Sequence, residues 1–118
     1  MGLISALREL GKSATEHEAD EIRARTRAQL APCDPLRDRQ PARVAGVVRS
    51  VTMPAKVNVP VLMAEIFDGE TAVQLVWIGR RTIPGIEPGV LLSARGRVAL
   101  RAGVPTIFNP PYEIVPRS

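Results

Sequence analysis

The stretch LLSARGRVALRAG (residues 91–103) sets Leu92, Ala94, Gly96, Val98 and Leu100 on one parity and Arg95, Arg97 and Arg101 on the other. A period of two is that of a β-strand, whose successive side chains point to opposite faces. With Val90 joining the apolar set, the aliphatic face lines an interior and the guanidinium groups project outward. The same period runs through 43–52, 61–67, 71–78, 90–101 and a last segment around 106–115 that Asn109-Pro110-Pro111 breaks. β-Branched residues fill these runs and Gly, Pro and Asp bound them, so a mainly β chain of five strands is expected.

Two local signals refine that expectation. Asp68-Gly69 marks a hairpin, because glycine supplies the positive φ such a turn needs. Its register puts Ala64, Ile66, Val73 and Leu75 on the core face and Glu65, Phe67, Ala72 and Gln74 on the other. Gly46 suits a bulge or sharp coil that lets one long strand serve both sides of a small barrel. Between the third and fourth strands, GRRTIPGIEPG (79–89) is too broken by Gly and Pro for more than a turn.

Before the strands the pattern is helical. In residues 1–30, Leu3, Leu7, Leu10 and Ala14 share a stripe that Gly11 interrupts, and Ser13 with Glu16 or Thr15 with Glu18 fits a capping box opening a second helix over about 14–30. That helix has only Ile22 and alanines as apolar anchors. Residues 31–42, with Pro32, Pro35 and Pro41, read as a linker, and 43–118 as the domain proper.

The chain has 118 residues, 45% of them hydrophobic and 24% charged, the balance of one globular domain. No apolar run approaches the roughly 18 residues of a membrane span, and the opening lacks a cleavable hydrophobic region, so a cytoplasmic protein without a membrane partner is expected. Ala6 stands where both a myristoylation signal and a phosphate loop need another residue. His17 and Cys33 are single. One histidine and one cysteine assemble no disulfide, zinc cluster or nucleophilic pair, so neither enzyme activity nor a cofactor is expected. The net charge is +4, and residues 43–118 carry nine basic against five acidic groups, whereas residues 1–30 balance at five and five. An anionic partner fits that excess.

The order RVAGVVRSV, AEIFDGETAVQLVWIG, IEPGVLLSARGRV, GVPTIFNPPYEIV resembles the OB-fold of the nucleic-acid-binding type, in particular the wedge domain of the RecG branch-migration helicase and small stand-alone OB-fold proteins of actinobacteria. The resemblance covers 43–115. It implies a five-stranded Greek-key barrel with an N-terminal α-helical appendage, taking nucleic acid across strands two and three and the loops at 52–60 and 102–105. It further implies weak, salt-sensitive binding of single-stranded or branched DNA in repair or recombination, with DNA ahead of RNA as ligand. No motor domain or nucleotide-binding loop accompanies these strands, so unwinding is not expected.

OB-folds hold single strands by aromatic stacking in a positive groove. Of the four aromatics, Trp77 continues the core series, and Phe108 and Tyr112 read as packing residues near the closing strand. Phe67 alone falls on the binding face, with Gln74 beside it and Glu65 opposing phosphate there. Arg49, Lys56, Arg80, Arg81, Arg95, Arg97 and Arg101 complete the candidate set as phosphate contacts. The competing reading is a protein-interaction module centred on an outward row of Met63, Phe67 and Val76, with the N-terminal helices ordering on a partner.

Overall fold

The computed structural model describes residues 18–22, 34–54 and 58–116. The first predicted helix and most of the second lie outside these residues, as do Lys56, His17 and Cys33; residues 18–22 are helical. The remainder is mainly β, in six strands: β1 Pro41–Thr52, β2 Val61–Phe67, β3 Ala72–Ile78, β4 Leu91–Arg101, β5 Val104–Phe108 and β6 Tyr112–Val115.

The pairings return to their starting point. β1 pairs with β2, β2 with β3, β3 with β5, β5 with β4 and β4 with β1, so five strands form a closed ring. Only the β3–β5 seam is parallel. β1 closes the ring because its first half pairs with β4 along 41–47 and its second with β2 along 47–52. Gly46 sits just before that exchange of partners. A Cβ there would lie 2.7 Å from the Phe67 carbonyl oxygen, so only glycine lets the two backbones approach this closely. The bulge itself lies further on, at Arg49, left without a partner between the pairs Val48–Ile66 and Ser50–Glu65.

The interior holds Val44, Val48, Leu62, Ala64, Ile66, Val73, Leu75, Trp77, Leu92, Ala94, Val98 and Ile107, as the period of two requires. Leu100, expected inside, is 43% exposed. It pairs with Pro105 one step from the end of the β4–β5 hairpin, where the strands run past the core. That hairpin turns on Ala102 and Gly103, both at positive φ, the backbone of a tight two-residue turn. Ile83 and Ile86, in the Gly- and Pro-broken segment, are buried in the same cluster and add the side chains that segment contributes to the core. No helix forms there.

The broken last strand is two strands on one edge of β4. β5 lies along Val98–Arg101 and β6 along Leu91–Ala94. Between them Pro110 and Pro111 have no amide to donate. Asn109, at φ 50, makes the turn: its amide donates to the Val76 carbonyl at 2.6 Å and its Oδ1 accepts from the Ile78 amide at 2.8 Å. At the Asp68-Gly69 hairpin, Asp68 Oδ1 accepts from the amides of Glu70 and Thr71 at 2.8 and 2.7 Å, with Gly69 at φ 101.

Part of the proline-rich segment is tied to the ring. Val98 exchanges main-chain hydrogen bonds with Arg39 and Gln40, and Asp38 Oδ1 accepts from the Leu100 amide. β1 therefore begins at Pro41, two residues before the predicted strand.

Leu75→Ala or Leu92→Ala, each removing a fully buried side chain, is expected to lower unfolding free energy by about 2–5 kcal/mol. Gly46→Ala is expected to cost about 1–3 kcal/mol through overpacking against Phe67. Urea denaturation of the three variants checks both.

Candidate nucleic-acid interface

Alternation places Met63, Glu65 and Phe67 of β2, Ala72, Gln74 and Val76 of β3, and Thr106 and Phe108 of β5 on the outer side. Cross-strand register aligns them in rows: Glu65, Gln74 and Thr106 in one, Met63, Val76 and Phe108 in the next. The face runs over three strands, but Thr106 is buried within it, its hydroxyl donating to the Val104 carbonyl at 3.2 Å.

Each phenylalanine on it carries a guanidinium. Arg49 Cζ stands 4.4 Å from the centre of the Phe67 ring, and Arg101 Cζ stands 5.1 Å from that of Phe108. A bulge re-aims the side chain it carries, which is how a β1 residue reaches a β2 ring. Arg49 Nε also lies 3.8 Å from Glu65 Oε1, both side chains nearly half exposed, a pair worth about 0–1 kcal/mol in water. Phe67 pairs with Ala72 and Phe108 with Val76, four residues further along β3 and on its other flank. At about 3.3 Å per residue and about 4.8 Å between strands, the two positions are roughly 16 Å apart. One base cannot span that distance. A short oligonucleotide can.

Phe108, read from sequence as packing, is 38% exposed, because Ile107 beside it takes the inward position. The alternation Thr106-Ile107-Phe108 carries that signal once the β5 register is known. Trp77 and Tyr112 are packing residues. Trp77 is buried, its Nε1 donates to the Pro110 carbonyl at 3.1 Å, and its ring meets Tyr112 edge-on at 5.7 Å. The Tyr112 hydroxyl donates to the Pro84 carbonyl at 2.7 Å. Val76 belongs to the outward row but is buried within it.

The predicted residues do not form one patch. Arg49, Phe67, Gln74 and Arg101 belong to the β1–β2–β3–β5 side just described. Arg80 and Arg81 are exposed beyond the end of β3. Arg95 and Arg97 lie exposed on β4, in register with Arg43 and Pro41 of β1. Arg97 Nη1 donates to the Arg39 carbonyl at 3.2 Å. Among the described residues no group of three or more His, Cys, Asp or Glu is placed to hold a metal ion, and no helix is long and apolar enough to cross a membrane.

A scan against protein-family models finds no match to this chain, and a search of curated proteins finds no relative. The geometry carries the functional reading.

Because Arg95 and Arg97 are exposed, replacing either with alanine is expected to change stability by less than about 0.5 kcal/mol. Thermal denaturation of the single variants checks this, and a larger loss would mark them as structural.

Proposed function

We propose that this chain is an OB-fold barrel that binds single-stranded nucleic acid across the outer face of β2, β3 and β5, without catalysis of its own. The ring order β1-β2-β3-β5-β4 with its parallel β3–β5 seam fits the five-stranded Greek-key barrel that the sequence resembles. The observation that carries the binding reading is the pair of outward phenylalanines, each beneath a guanidinium and separated by a length of face that a short single strand spans. Every base has a π-face, so such rings serve any sequence, while the cations meet phosphate. DNA stands ahead of RNA by the resemblance.

Glu65 tempers the site. Its carboxylate repels phosphate and holds Arg49 from one side while Phe67 holds it from beneath. An incoming phosphate takes the carboxylate's place on Arg49, so binding is moderate and sensitive to salt. Contact with Z phosphates of a single strand gives a slope of about −0.7Z in log K against log salt.

A protein-interaction reading has one observation in its favour. Met53, Val59 and Ile78 are large apolar side chains exposed near one end of β1, β2 and β3. Ile78 follows Val76, the register partner of Phe108, on the outward row of β3, and a protein contact there leaves the stacked guanidiniums without a role.

Binding of dT15, followed by fluorescence anisotropy in low salt, tests the proposal. Phe67→Ala and Phe108→Ala are each expected to weaken it by about 1–3 kcal/mol, the worth of one stacked base. Glu65→Gln is expected to tighten it, because the phosphate on Arg49 no longer competes with a carboxylate. Unchanged affinity in both phenylalanine variants would refute the stacking role.

A further inference from the structure

Between the two rings the outer face carries a pair of polar side chains. Glu65 and Gln74 are direct cross-strand partners, and Gln74 lies two residues from Ala72, the partner of Phe67, and two from Val76, the partner of Phe108. The pair therefore sits midway between the rings, about 7 Å of strand from the row of either. Both residues are partly exposed. Among the described residues Glu65 meets one cation, Arg49, whose Nε is 3.8 Å from Oε1, too long for a hydrogen bond. Its lone pairs are thus open to N–H donors. The Gln74 side-chain amide makes no hydrogen bond among the described residues and supplies donors as well as an acceptor. Thr106, the third residue of the row, adds nothing, being buried with its hydroxyl on the Val104 carbonyl.

Directly opposed on a sheet, the two side chains start from Cβ atoms about 4.5–5.5 Å apart and present, side by side, two carboxylate acceptors and an amide donor. The Watson–Crick edge of guanine is the complement of that set: N1–H and the N2 amino group are adjacent parallel donors for the carboxylate, and O6 accepts from the amide. No other base has two adjacent donors. Adenine sets N1 and cytosine N3, both acceptors, beside a single amino group, and thymine and uracil flank N3–H with two carbonyls, so each of these turns a lone pair toward the carboxylate. A duplex keeps this edge in its own base pairs, whereas an unpaired strand can splay it onto a protein face. The rings accept any base by its π-face, and the pair between them chooses.

We infer that Glu65 and Gln74 read the Watson–Crick edge of a guanine held between Phe67 and Phe108, so that the face prefers single strands containing guanine. This rests on the single-strand reading and deepens it. Glu65 then has two opposed effects: it repels phosphate at Arg49 and it accepts from a base, so it weakens a thymine strand and strengthens a guanine strand.

Fluorescence anisotropy in low salt tests it with four oligonucleotides of equal length: dT15, d(TTG)5, d(TTA)5 and d(TTI)5. Adenine matches guanine in ring size and so controls for stacking, whereas hypoxanthine keeps N1–H and O6 but lacks the N2 amino group. Wild type is expected to bind d(TTG)5 about fivefold or more tighter than d(TTA)5, the low end of what one bidentate base contact discriminates, and d(TTI)5 less than about twofold tighter than d(TTA)5. Glu65→Gln is expected to lose the guanine preference while binding dT15 at least as well as wild type, an inversion that loss of fold does not give. Gln74→Leu keeps the bulk, removes the donor to O6, and is expected to reduce the preference with dT15 affinity unchanged. Equal affinity of wild type for d(TTG)5 and d(TTA)5, or a guanine preference that survives in Glu65→Gln, would overturn the inference and leave the single-strand reading standing. Binding to none of the four would sink that reading and this inference with it.

Discussion

At Gly46 the backbone of β1 passes so near that of Phe67 that no Cβ fits between them, and one residue later the strand leaves β4 for β2. Ring closure depends on that passage. A long strand that kept one partner would leave β2 and β4 as the edges of an open sheet, each with a row of unpaired amides and carbonyls. Because β1 serves both, the alternating aliphatic side chains of all the ring strands meet in one interior, and everything of the other parity is turned outward. The two arginine–phenylalanine pairs and the β4 arginines exist as surface features for this reason alone.

Closure also decides which outward residues can act together. In a flat sheet, side chains of β1, β2, β3, β5 and β4 would share a plane. In a ring they point in diverging directions, so Phe67 and Phe108 can serve one ligand while Arg95 and Arg97 face a different way. Fourteen of the sixteen basic residues are arginine, and the placement of the guanidiniums, some stacked on rings and some on the β1–β4 side, is what the net charge does not show.

Much of this was legible in the sequence where side-chain parity and burial coincide. Val73, Leu75 and Trp77 continue one inward row, and the outward placement of Arg95, Arg97, Phe67 and Gln74 follows from counting. Legibility fails where register depends on a distant partner. Phe108 reads as packing until Ile107 is set against Leu75 in the parallel seam, a contact far off in sequence. Leu100 reads as core because alternation does not say where the interior stops and the hairpin runs on. Ile83 and Ile86 lie among prolines and glycines with no period at all, so nothing local announces their burial. Gly46 reads as a bulge or sharp coil, and it sits where β1 changes partner, but the unpaired residue is Arg49, placed by the registers on either side of it.

A closed ring turns Phe67, Gln74 and Phe108 onto one face that a single strand can span. A titration of isotope-labelled protein with dT15, followed by amide chemical shifts, tests it most directly. The largest changes are expected on β2, β3 and β5 at those residues, with Arg49 and Arg101 among them and Arg95 and Arg97 still. Changes confined to other residues, or none at low salt, would contradict it.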